Sequence, residues 1–118
     1  MKMVIVMRKD LNMRKGKMCA QAGHAVLGVM QLAAAVKEEN AYANWHKDNL
    51  QTKICVGVNS EEELIDIYNK ALQKGIITYL VQDYGLTEFN NEKTYTCLAL
   101  EPSENEDVDE ITGGLSLL

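Results

Sequence analysis

Proline, phenylalanine and tryptophan each occur once in these 118 residues, histidine twice and cysteine three times. Each scarcity excludes something. With 47% apolar and 25% charged residues and a single proline, the chain is neither collagenous nor low-complexity, and its length suits one domain over 1–118. Cys19, Cys55 and Cys97 are odd in number, far apart and form no C-x-x-C pair. A disulfide framework and a zinc knuckle are thereby excluded, leaving reduced thiols. His24 and His46 alone cannot build a histidine-rich metal site. Long apolar runs are missing too: Met3 to Val6 is too short for a signal peptide, and Gln31 interrupts Ala25 to Val36. A cytoplasmic protein without a membrane partner is expected. There is no G-x-S-x-G elbow, H-E-x-x-H, Walker loop or Rossmann fingerprint. No cofactor is therefore expected, and any hydrolysis would use an activated water.

What is present is a lopsided charge. The net charge is −5, yet residues 1–17 hold six basic groups (Lys2, Arg8, Lys9, Arg14, Lys15, Lys17) against Asp10, leaving −10 on the remainder. A basic patch on an acidic body suits a local anion site and disfavours extensive coating of nucleic acid.

Hydrophobic spacing predicts alternating strands and helices. Met3 to Met7 reads as a strand covered on both faces. Lys15 to Glu39 reads as a helix whose apolar stripe is Met18, Ala22, Ala25, Val26, Val29, Ala33 and Val36. Lys17, Gln21, His24 and Gly28, spaced four, three and four, make a second stripe on its flank. Residues 40–52 predict a short helix or an irregular connection, and Lys53 to Val58 a second strand. Ser60 and Glu63 form a capping box opening a helix with Leu64, Ile67, Tyr68, Ala71 and Leu72 inward, closed by Gly75. Ile76 to Val81 and Thr94 to Leu100 are the remaining strands. Pro102 and Ser103, with Glu106, open a last short helix. The alternation predicts a sheet with helices on both faces.

Three constellations carry chemistry. Arg14, Lys15 and Lys17 crowd a helix N-terminus, where the macrodipole makes each cation cost about 0.3 to 1 kcal/mol. Exposed N–H groups beside Gly16 would make that end an anion site; a solvated basic loop is the other reading. Second, Lys17, Gln21 and His24 share a face and can line one cleft, although a lone histidine on an apolar helix is often a core residue. Third, Asp83 ends a strand, where open α/β sheets place ligands, while Asp83 with Gly85 also reads as a simple turn. Thr87, Thr94 and Thr96 add hydroxyls, which in strands also report β-propensity.

Asp10-Leu11, Met13, Lys15-Gly16-Lys17, Ala20-Gln21 and His24-Ala25 resemble the opening signature of type 2 peptidyl-tRNA hydrolases, D-L-x-M-x-K-G-K-x-x-A-Q-x-x-H-A. The resemblance continues at Lys53, at Ser60 with its glutamates, at Asp83-Tyr84-Gly85-Leu86-Thr87-Glu88, at Thr94-Tyr95-Thr96, and in the tail Ile111 to Leu118. It spans almost the whole chain. It implies an α/β fold, a three-layer α/β/α sandwich with a mixed four-stranded sheet, commonly homodimeric. It also implies metal-independent cleavage of the ester joining peptide to tRNA. Site residues implied are Lys15, Lys17, Gln21, His24, Lys53, Asp83, Thr87, Thr94 and Thr96. Tyr84 replaces a usual small residue, Leu50 a glycine before the strand, and Ala99-Leu100-Glu101-Pro102 a glycine-rich segment.

On this basis Lys17, Gln21, His24, Asp83 and Thr87 are the expected catalytic set, and Arg14, Lys15, Lys53, Thr94 and Thr96 the expected tRNA-binding set. The base is Asp83 or His24: an imidazole is mostly neutral near pH 7, whereas a carboxylate of pKa ~4 is a weaker base unless buried. Tyr84 and Glu101, if they line the cleft, would favour a rival reading, a homologue that binds tRNA or a protein without hydrolysis. A small interaction domain whose basic loop contacts acidic partners is a more distant rival. Leu27 and Met30 on the first helix suit a dimer contact.

Overall fold

The computed structural model describes residues 1–85, 89 and 92–118. Its elements run β1 (Met3–Arg8), α1 (Lys15–Ala34), α2 (Ala43–Lys47), β2 (Lys53–Val58), α3 (Glu61–Gln73), β3 (Thr78–Asp83), β4 (Thr94–Leu100) and α4 (Asn105–Thr112). The sheet order is β2-β1-β4-β3, with β1 parallel to β2, and β4 antiparallel to both β1 and β3. The sheet is therefore mixed, and the α/β expectation holds.

Strand alternation divides the core in two. Met3, Ile5 and Met7 of β1 pack with Ala25, Val29 and Ala33 of α1 and with Tyr42 and Trp45. Val4 and Val6 point the other way, to Leu64, Ile67 and Ala71 of α3 and Val108 of α4. Every residue of β1 is buried, as the apolar run Met3 to Met7 requires of a strand covered on both faces. Among the described residues no helix is long and apolar enough to cross a membrane.

Several local expectations hold. Ser60 Oγ accepts the Glu63 N–H at 3.0 Å, and the Glu63 carboxylate reaches back to the Asn59 N–H. Gly75, at φ +76°, closes α3: its N–H bonds Leu72 O and the Ile76 N–H bonds Ala71 O, the paired bonds of a Schellman ending.

Others shift. α1 ends at Ala34, five residues before Glu39, and Val36 is 72% exposed, because the sheet surface beneath the apolar stripe has run out. Leu72 is exposed on α3 instead of inward. β3 begins at Thr78 and runs through Asp83, two residues later than expected at each end. Ser103 does not cap α4, whose N-cap is Glu104; Ser103 pairs its backbone with Lys2 and donates its hydroxyl to Glu101 O.

Candidate active site

The flank of α1 that sequence spacing marked becomes one wall of a cavity of about 490 Å³. Lys17, Gln21, His24 and Gly28 line it from the helix, and Tyr79, Val81 and Asp83 from β3. The helix can lie this close because Gly28 has no side chain: a Cβ there would sit 2.4 Å from Tyr79 Cδ2. Entry into α1 is held by Met13 and Met18, both packed on the core at the two positions of a hydrophobic staple. The first turn of α1 holds no acidic residue, and among the described residues no side chain caps its electropositive end, where Arg14 and Lys15 are exposed.

Lys17 and Asp83 meet across the cleft. Nζ donates to Oδ1 at 2.8 Å, and the two side chains are only 12% and 13% exposed. Oδ2 accepts the Gly85 N–H at 2.9 Å, with Gly85 at φ +79°. Asp83 thus shapes the turn and faces the cleft at once, so the two readings of it are compatible. Partial burial raises the Asp83 carboxyl, but the Lys17 hydrogen bond, the Gly85 N–H and the nearby positive charge outweigh it and hold the group below the ordinary carboxylate range. Lys17 Nζ also lies 5.6 Å from the centroid of the Phe89 ring.

A β-bulge brings the threonines in. Between Val81 and Gln82 the partners on β4 step from Cys97 to Tyr95, so Thr96 is an extra residue. Simple alternation would turn Thr96 with Leu98 and Leu100 to the α3 face. The bulge instead lets both Cys97 and Thr96 face α1, where Cys97 Sγ donates to Gln21 O and the Thr96 hydroxyl donates to Gln21 Oε1 at 2.5 Å. Thr94, beyond the bulge, pairs with Asp83. Burial pushes the Cys97 thiol up to about 12, which makes it an inert part of the core beneath α1.

Not every expected residue comes here. Lys53 starts β2, on the opposite edge and at the opposite end of the sheet from Asp83. Strand spacings put the two roughly 20 Å apart. Its Nζ lies 5.1 Å from the Trp45 ring centroid and donates to Gln51 O. Arg8 is buried and grips Asp10 with two hydrogen bonds, so it leaves the basic patch. Thr87 lies outside the described residues.

Of the two residues whose place in the cleft was in question, Tyr84 does line it, 61% exposed. Glu101 does not: it is 5% exposed and accepts the Tyr42 hydroxyl at 2.7 Å and the Ile77 N–H. Its carboxylate ties the end of β4 to α2 and to the approach to β3. The concern that it adds negative charge to the cleft is therefore removed.

Sequence reasoning passed over Gln31 and Tyr79. Gln31 continues the flank stripe three residues beyond Gly28, and Tyr79 shares the strand face of Asp83 at i, i+4. Both periodicities were available.

The sequence profile of the family described as "Peptidyl-tRNA hydrolase PTH2" matches residues 1–118. The chain belongs to this family. It is 47% identical over 118 residues to the "Peptidyl-tRNA hydrolase" of Methanocaldococcus jannaschii, covering 100% of both chains. It is 42% identical, again over 100% of both, to that of Methanothermobacter thermautotrophicus. With the corresponding Nanoarchaeum equitans protein it shares 41% identity over 98% of this chain and 97% of the other. A solved Agrobacterium tumefaciens protein described as being of unknown function superposes with a TM-score of 0.66 over 99% of this chain and 96% of its own. At 16% identity it speaks for the fold alone. Membership makes the chain a hydrolase acting on the ester of peptidyl-tRNA.

Proposed function

We propose that ester hydrolysis takes place at the Lys17–Asp83 pair, with His24 as the base that activates water. The observation that carries this reading is the ion pair itself, largely shielded from solvent in the wall of a cleft that Gln21 and His24 also line. Asp83 has both oxygens engaged and a depressed pKa, so it is a poor proton acceptor. Its role is to fix the Lys17 ammonium where the oxyanion develops. His24 is exposed in the cleft and is left as the acceptor of the water proton. Gln21 Oε1 is already bonded to Thr96, which leaves the amide NH2 to donate to the ester or the water.

Arg14 and Lys15, at the uncompensated N-terminus of α1, hold the phosphates of the tRNA acceptor end. Lys53, with its different position, contacts a more distant part of the tRNA. The translational substrate implies a cytoplasmic enzyme, and exposed Leu32 and Val36 near the end of α1 are the surface on which a homodimer would form.

Turnover of N-acetyl-aminoacyl-tRNA tests the roles. Asp83→Asn and His24→Gln each lose at least about 100-fold in kcat. An undiminished kcat in His24→Gln assigns the base elsewhere. Wild type that binds tRNA but releases no peptide would favour the non-catalytic reading.

A further inference from the structure

The cleft is chemically divided along α1. Its ionisable groups, Lys17, His24 and Asp83, gather toward the N-terminal part of the helix, whereas the part beyond His24 is walled by Leu27, Gly28 and Tyr79 and bordered by the uncharged amide of Gln31. Leu27 is 60% exposed and Tyr79 36% exposed, so both present apolar surface to the same opening. Gln31 lies seven residues past His24, roughly 10 Å along the helix at 1.5 Å per residue.

We propose that this apolar shelf receives the acyl half of the substrate: the side chain of the esterified residue rests on Tyr79 and Leu27, and Gln31 meets the amides of the peptide. The inference rests on the placement of the reaction centre at Lys17 and Asp83. A phosphodiester does not suit the shelf, because none of the described residues there neutralises it, while cations stand at the other end of α1 at Arg14 and Lys15. An uncharged chain bearing amides and side chains fits what lines it, and the shelf shares one cavity with the reaction centre, so a bound ester carbonyl has its acyl side directed there. Gly28 sets the depth, because any Cβ at that position must displace the Tyr79 ring. The enzyme therefore reads the identity of the esterified residue by apolar contact and favours aromatic and large aliphatic residues over glycine.

The test compares kcat/KM for N-acetyl-Phe-tRNA and N-acetyl-Gly-tRNA in wild type, Leu27→Ser, Gly28→Ala and Lys17→Ala. Wild type should prefer the Phe substrate by roughly tenfold or more, the scale on which an apolar pocket discriminates. Leu27→Ser and Gly28→Ala should reduce that ratio severalfold, chiefly by loss on the Phe substrate. Leu27 is exposed, so its variant keeps the proposal testable if Gly28→Ala fails to fold. A wild-type ratio near one overturns the proposal. So does an equal fall on both substrates in Leu27→Ser, particularly with a halved sedimentation mass, which would make Leu27 a dimer contact. Lys17→Ala separates the two readings: if it stays as active as wild type, the reaction centre is misplaced, whereas dependence on Lys17 with an unaltered Phe/Gly ratio sinks the shelf alone.

Discussion

Lys17 Nζ and Asp83 Oδ1 lie 2.8 Å apart although 66 residues separate them in sequence. One comes from the first turn of α1 and the other from the last residue of β3, so the pair forms only when helix and sheet are docked. If the two act as one device, their losses do not add. Lys17→Gln and Asp83→Asn should each lower kcat/KM by about 100-fold or more, and the double variant should be no worse than the poorer single. A multiplicative loss in the double variant would show two independent roles.

The same pair makes stability depend on acid. Asp83 and Asp10 have folded-state pKa values below their ordinary ones, Asp83 chiefly through Lys17 against the opposing effect of burial, and Asp10 through Arg8. A depressed carboxyl contributes stability that is present above its unfolded pKa and is lost as pH falls through the folded value. The urea midpoint should therefore drop between neutral pH and pH 3, and Asp83→Asn should show a smaller drop than wild type.

Thr96 is fully buried, and its hydroxyl is the donor that orients Gln21. Thr96→Val keeps the shape but leaves Gln21 Oε1 without its donor, at a cost of about 1 to 3 kcal/mol. Denaturant unfolding should show this loss and Thr96→Ser should recover most of it, with kcat following the same order.

Much of this architecture was legible in the sequence, for identifiable reasons. β2 and β4 matched because short apolar runs end abruptly at turn-forming or charged residues. The 17-21-24-28 stripe was legible because helical periodicity needs no tertiary information. The bulge at Thr96 was not, since an extra residue in a strand leaves no compositional mark. The burial of Glu101 was equally hidden: only packing reveals that Tyr42 and the Ile77 N–H converge on it. The distance of Lys53 from the cleft was also hidden, because strand order, not strand identity, decides which edge a residue occupies.

Leu50, set against the glycine that the family resemblance implies before β2, adopts φ +49° with its side chain 83% exposed. A non-glycine residue in the left-handed region costs about 1 to 2 kcal/mol, while glycine costs about 0.5 to 1 kcal/mol in chain entropy. Leu50→Gly should therefore stabilise the protein by about 0.5 to 1 kcal/mol in denaturant unfolding and leave turnover unaltered.

The most direct measurement is single-turnover release of N-acetyl-Phe from its tRNA by purified enzyme in EDTA, wild type beside Lys17→Ala. The account predicts rapid release by wild type and a fall of at least about 100-fold in the folded variant. Equal rates from the two proteins, with circular dichroism confirming that both are folded, would contradict the assignment of the reaction to this cleft.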